Sequence, residues 1–154
     1  MAKSAEQITQ ELVDREKIRE LTAKYCFYVM TRQRSKVPDL FADDASFTGN
    51  AGAPANGKEA LRKMFSASES LTLIPFIHNH LIELSGNRAS GTCAVEVRAV
   101  QNGVAMTAAG YYSDQHVKVN DEWKFQSRDL HLFHFVPLEK GWAVEDGKVE
   151  LGQR

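Results

Sequence analysis

Four long stretches of this chain, residues 76–84, 89–100, 104–119 and 122–135, are rich in Val, Ile, Thr and aromatic side chains, and only a few residues separate each from the next. Such side chains suit a pleated, half-buried surface, so each stretch reads as a strand. The breaks are Ser85-Gly86-Asn87-Arg88, Gln101-Asn102-Gly103 and Asn120-Asp121. Asn-Gly is the strongest short hairpin signal, because both residues accept the positive φ that a tight hairpin turn demands. Connections this short leave no room for a crossover helix, so consecutive strands must run antiparallel.

Upstream the period changes. Ser4, followed three residues later by Gln7, has the form of a capping box, and Ile8, Leu12, Ile18, Leu21, Tyr25 and Tyr28 then recur at helical spacing. The pattern predicts a long amphipathic helix to about Arg32. Ser35 is placed to cap a short second helix carrying Val37, Leu40 and Phe41, with Pro38 tolerated in its first turn and Asp43 and Asp44 ending it. A brief strand over 46–48 then leads into a Gly- and Pro-containing loop, 49–57, and residues 58–66 predict a third helix. Helices followed by hairpin-linked strands predict an α+β fold, with the helices on one side of an antiparallel sheet.

The 154 residues, 43% hydrophobic and 25% charged, suit one domain, with a core over about 8–138 and a tail over 139–154. Nineteen basic against twenty acidic side chains give a net charge of −1, so neither nucleic acid nor an anionic membrane is an expected partner. The polar first ten residues have no apolar leader, and no apolar run reaches bilayer length, so a cytoplasmic protein is expected. Cys26 and Cys93 have neither the density of a disulfide scaffold nor the spacing of a zinc site and are expected as free thiols.

Particular residues also look familiar in combination. Ile18-x-x-Leu21-x-x-x-Tyr25, Leu40-Phe41-Ala42-Asp43-Asp44-Ala45, Gly57-Lys58-Glu59-Ala60-Leu61, Gly110-Tyr111-Tyr112-Ser113-Asp114 and Trp123-Lys124-Phe125 occur in order from about Glu11 to Leu138. Together they resemble the SnoaL-like, nuclear-transport-factor-2-like superfamily. Phe135-x-Pro137-Leu138-x-x-Gly141 is in addition similar to the carboxyl end of hexachlorocyclohexane dehydrochlorinases. The resemblance implies a cone of three N-terminal helices packed on a curved antiparallel sheet, enclosing a pocket between the first helix and the concave sheet face. It also implies relatives such as scytalone dehydratase, bile-acid dehydratase and polyketide cyclases, which need no organic cofactor.

In dehydratase-like members a histidine acts as general base, oriented by an aspartate near the end of the first helix. The resemblance places these two positions at Met30 and Pro75, neither of which exchanges a proton. A shift of a few residues would bring His78 to the histidine position. Tyr25 and Tyr112 fall at pocket positions of the relatives, where each would donate a hydrogen bond to a carbonyl or developing oxyanion. The competing reading of Tyr25 and Tyr28 is that they continue the apolar stripe of the helix, and for Tyr28 this structural role has the better case.

Read from the residues alone, strand alternation puts His78 and His80 on one face and Asn79 on the other. No acidic or thiolate ligand is spaced with the two histidines, so no metal site is expected. On the last strand Ser127, Asp129 and His131 share one face, and Arg128, Leu130, Leu132 and His134 the other. Asp129 is placed to orient or charge His131, a candidate replacement dyad; the commoner origin of such a pattern is a polar pair on the solvent face of a sheet. Arg128 follows the Trp-Lys-Phe element where many relatives carry an arginine, and the resemblance implies that it would anchor a carboxylate, phenolate or ring oxygen; its structural role would be a salt bridge with Glu96 or Asp114. Leu73, Ile74, Phe76, Met64, Phe65 and Met106 are candidate pocket walls, and Trp142 would close the pocket or a subunit interface.

Two functions from different classes follow. The first is a cofactor-independent lyase or isomerase acting on a hydrophobic cyclic or aromatic molecule, with Tyr25 polarising the substrate and His78 or His131 moving the proton. Tyr28, Met30, Asn79, Tyr112, Arg128, Phe76 and Trp142 would then bind the substrate. The second is a ligand-binding or scaffold protein without turnover, as Met30 and Pro75 would suggest. A sheet face left uncovered by helices predicts a homodimer or homotrimer.

Overall fold

The computed structural model describes residues 2–68, 71–141, 144–145 and 148–149; Trp142 lies outside them. Helix α1, Ala5–Met30, starts at the expected capping box: the Gln7 N–H donates to Ser4 Oγ at 3.2 Å and the Ser4 N–H to Gln7 Oε1 at 2.8 Å. Its inward stripe buries Asp14, Ile18, Leu21, Thr22, Tyr25, Cys26 and Val29, a spacing of three and four residues that keeps one face on the sheet. Arg32, at φ +60°, turns the chain out of the helix.

The expected short second helix is present as a 3-10 helix, Arg34–Leu40, preceded by Gln33, which makes no side-chain cap, so Ser35 lies inside it rather than at its cap. Pro38 lies within it, and a proline there removes one amide donor and blocks propagation of α-helical bonding. Phe41 is not helical. It opens strand β1, Phe41–Gly49, which contains Asp43 and Asp44 where these had been expected to terminate a helix. A two-residue strand β2, Ala55–Asn56, leads into helix α2, Gly57–Ala67, whose Leu61 and Phe65 are buried.

Four long strands follow: β3 (Thr72–Ser85), β4 (Arg88–Gln101), β5 (Val104–Val119) and β6 (Glu122–Pro137). They pair consecutively and antiparallel, as their turns require. The sheet order is β2-β1-β6-β5-β4-β3, and β1 lies parallel to β6 from Phe41 opposite Phe125 to Gly49 opposite Leu130. The sheet is therefore mixed, with β2 and β3 as its edges. The turn argument governs only strands adjacent in sequence, and β1 and β6 are not. A 3-10 turn, Leu138–Lys140, and a small hairpin of β7 (Val144–Glu145) and β8 (Lys148–Val149) complete the described chain.

One face of the sheet packs on α1 and α2. Ile18, Phe41, Leu61, Val95 and Phe125 are at most 1% exposed there, and each full burial contributes about 1.5–3 kcal/mol. Asp14 ties the amino-terminal half of α1 to the β5–β6 hairpin: its carboxylate accepts from Trp123 Nε1 at 2.9 Å and meets Lys118 Nζ at 2.7 Å. Arg15 also donates to the carbonyl of Ile82, holding the helix to β3.

Three bulges set which side chains face the helices. In β3, His78 lies opposite Ala94 and Leu81 opposite Thr92, so two residues, Asn79 and His80, stand against Cys93 alone. Asn79 takes up the distortion at φ +51°. In β6, the register places residues 126 and 133 out of step with β5. Among the described residues no helix is long and apolar enough to cross a membrane.

Candidate functional site

Side chains from three elements meet in the interior that α1 covers. Tyr25 of α1, Tyr112 and Asp114 of β5 and Arg128 of β6 are all at most 4% exposed. Arg128 donates from Nε to Asp114 Oδ1 and from Nη2 to Asp114 Oδ2, both at 3.0 Å. Its guanidinium carbon lies 3.7 Å from the ring centre of Tyr112, 4.3 Å from Tyr25 and 4.4 Å from Phe125, so the planar cation is enclosed by three aromatic faces. Cys93 Sγ lies 3.9 Å from Nη2. Of the two partners considered for Arg128, Asp114 is the one it takes.

Burial opposes both charges of this pair, and each partner counters it. Burial draws the Asp114 carboxyl upward against the pull of Arg128, while Asp114 outweighs burial at Arg128 and keeps the guanidinium charged. Burial likewise pushes the Tyr25 phenol up to about 12 and raises Tyr112 well above its ordinary value. Both stay neutral near pH 7 and can serve as hydrogen-bond donors. Their hydroxyls interact with one another, and their rings cross edge-on at 6.0 Å.

Two further imidazoles face this interior. The β3 bulge turns His80 inward, and His116 of β5, 1% exposed, packs against the Phe125 ring at 5.3 Å. Burial and then the charge of Arg128 lower His80 to about 4 and His116 to about 3, so both are neutral near pH 7. His80 and His116 converge over Gly91: a Cβ there would lie 3.4 Å from His80 Nε2 and 3.3 Å from His116 Cε1.

His78 and His80 do not share a face, contrary to simple alternation, because the bulge inserts one residue between them. His78 stays on the outer face, with Nε2 at 3.4 Å from Glu96, and Asn79 is exposed at the bulge itself. His134 also changes sides: the bulge at residue 133 sets it opposite Ala109, whereas Leu132, opposite Gly110, remains on the face of Arg128. Asp129 and His131 do meet, Nε2 to Oδ2 at 2.7 Å, on the outer face. Thr48 Oγ1 donates to Asp129 Oδ1 at 2.8 Å, and the imidazole stacks on Tyr111 at 4.7 Å.

Phe76 is on the outer face too, with the Arg98 guanidinium over its ring at 5.6 Å. Tyr28 is half-buried beneath the Lys36 ammonium, Met30 is exposed at the end of α1, and Pro75 is buried opposite Val97. The sequence reasoning left Asp114, His116 and the inward turn of His80 out of the candidate site. On β5 the signal was present: Gly110, Tyr112, Asp114 and His116 stand two residues apart and so share one face. For His80 no local signal separated a bulge from a regular strand.

An open depression elsewhere, bordered by Asp39, Phe41, Lys58, Val119 and Lys124, offers less chemistry. There Lys58 donates to the carbonyls of Pro38 and Phe41, and Lys124 to that of Asp39, so both ammonium groups are engaged by backbone. Among the described residues no three His, Cys, Asp or Glu side chains gather as a metal site, and Cys26 and Cys93 are free and buried.

A helix-covered mixed sheet with an inward polar cluster defines the nuclear-transport-factor-2-like, cystatin-like class of fold. Solved structures agree. A scytalone dehydratase-like protein from Novosphingobium aromaticivorans superposes with a TM-score of 0.78 at 19% identity, covering 96% of this chain and 98% of that one. A type 2 hexachlorocyclohexane dehydrochlorinase gives a TM-score of 0.78 at 20% identity, covering 89% and 97%. A nuclear-transport-factor-2-like protein with a cystatin-like fold, also from Novosphingobium aromaticivorans, gives 0.69 at 19% identity, covering 86% and 92%. No curated protein sequence matches the chain. Residues 10–129 match the SnoaL-like domain, and the chain belongs to that family.

Proposed function

We propose that this protein is a cofactor-independent lyase or isomerase that abstracts a proton beside a carbonyl of a hydrophobic cyclic or aromatic substrate. The observation that carries this reading is the gathering of Tyr25, Tyr112, Arg128, His80 and His116 in one interior beneath α1. Tyr25 and Tyr112 donate to the substrate oxygen, and Arg128, fixed by Asp114, favours the negative charge that develops there. An inward imidazole, neutral near pH 7, accepts the proton. The carbon's electron pair then forms the new double bond, and in the lyase case the neighbouring substituent leaves with its own pair. His78 and the Asp129–His131 pair, on the outer face, take no step in this reading.

A second reading, binding without turnover, is favoured by Met30 and Pro75, which the resemblance sets where dehydratase-like relatives carry an acid–base pair. The low basicity of His80 and His116 also favours it. The two readings separate in deuterated water. Cyclic β-hydroxyketones and chlorinated rings are incubated with the protein and followed by proton NMR. Catalysis gives exchange at the carbon beside the carbonyl, or loss of water or chloride, slowed about a hundredfold in Tyr25→Phe. Ligands that bind but neither exchange nor eliminate would establish the second reading.

A further inference from the structure

We infer that Arg128 and His116, with His80 across Gly91, form a subsite that holds a hydroxyl group borne on the ring of the ligand. This rests on reading the interior as a ligand pocket. Arg128 Nη1, His80 Nε2 and both ring nitrogens of His116 are buried without a hydrogen-bond partner. The Ala89 backbone lies close to His116 but outside hydrogen-bond geometry. A buried polar atom left unpaired costs about 1–3 kcal/mol, so several together mark a place where something else completes the bonding.

Valence decides what that group is. Arg128 Nη1 only donates, whereas a neutral imidazole has one nitrogen that donates and one that accepts. His116, with both nitrogens unpaired, therefore needs a donor as well as an acceptor. A ketone or carboxylate oxygen accepts only and would leave the His116 lone pair empty; an ammonium group only donates and would face the Arg128 cation. A hydroxyl meets two of these needs at once: its oxygen accepts from Arg128 Nη1 while its hydrogen is given to the accepting nitrogen of His116, whose N–H is left toward the Ala89 backbone. The Phe125 ring beside both His116 and Arg128 supplies an apolar flank for the ring that bears it. The adjacent imidazole, His80, is then left to take the proton.

Two features bring the imidazoles together. The β3 bulge delivers His80 to the inner face, and glycine at position 91 lets both rings close on the β4 backbone, where a Cβ would crowd the Leu81 carbonyl oxygen at 3.1 Å and His116 Cε1 at 3.3 Å. An ordered water has the same valence as a hydroxyl, so the test must separate them.

Isothermal titration of the wild-type protein with 4-cyanophenol, benzonitrile and 4-cyanobenzoate does so. The subsite predicts that the phenol binds about tenfold tighter than either of the others, the gain of one hydrogen bond to a charged group. The preference disappears in His116→Phe. Because that variant can lose stability, imidazole nitrogen NMR of the wild type gives an independent readout: the phenol shifts His80 and His116 and leaves His78 and His131 unmoved. Equal binding of phenol and benzonitrile would mean that water alone fills the subsite; it would overturn this inference and leave the pocket reading standing. If none of the three binds, the subsite is overturned, and the deuterium-exchange measurement alone judges the proposed reaction.

Discussion

Asp114 grips Arg128 through both carboxylate oxygens, at 3.0 Å each, with neither side chain reaching solvent. A fixed, bidentate, dry ion pair is expensive to break from one side, because the surviving charge is stranded. Asp114→Asn is therefore expected to lose about 3–5 kcal/mol of stability. Replacing both members by apolar residues of similar volume should recover much of this. Urea unfolding of the single and double variants checks the prediction.

Acid should destabilise the fold through His80 and His116. Their folded values, about 4 and about 3, lie below the ordinary 6.5, so between pH 6.5 and 3 the unfolded chain binds more protons than the folded one. Stability contributed by keeping them neutral is complete above pH 6.5 and falls as pH drops through that window. His116→Phe should flatten the decline when melting temperature is followed from pH 7 to 4.

Asn79 holds φ +51° in the middle of a strand pair. Asparagine tolerates that conformation and a β-branched residue does not. Asn79→Val is expected to cost about 1–3 kcal/mol, and Asn79→Gly to be nearly neutral. The valine variant should also disturb the His80 imidazole resonance, since the same bulge aims that ring inward.

At Gly110 the limit is space. A Cβ there would stand 1.9 Å from the His131 carbonyl oxygen, beside the second bulge of β6. Gly110→Ala forces β5 and β6 apart and should lower the melting temperature by about 5 °C or more. A difference of only a degree or two would contradict this.

Most of the fold was legible because short turns and long β-rich stretches leave few alternatives, and because Ser4 and Gln7 mark where α1 starts. The parallel pairing of β1 with β6 was not legible, since nothing local records which distant strand Phe41 meets. The segment around Pro38 was legible as a short helix, but its end was misplaced, because Phe41 continues the apolar spacing of Val37 and Leu40 although it already belongs to β1. Within the site, Tyr112 and Arg128 were singled out from resemblance, and simple alternation from Tyr112 would have added Asp114 and His116. His80 was grouped with His78, and His134 with Arg128, for one reason: a bulge costs one residue of register and leaves no mark in a pattern that counts by twos.

The parallel seam between β1 and β6 also has a consequence in time. Phe41 pairs with Phe125, and Gly49 with Leu130, across some eighty residues of intervening chain. Loop closure of that length is slow compared with the zipping of hairpins. As the polypeptide leaves the ribosome, α1 can already rest on β3, to which Arg15 holds it, but β1 waits for its parallel partner until β6 is made. The hairpins of β3 to β6 can assemble on their own account, and the β1–β6 seam closes last, when synthesis is nearly complete.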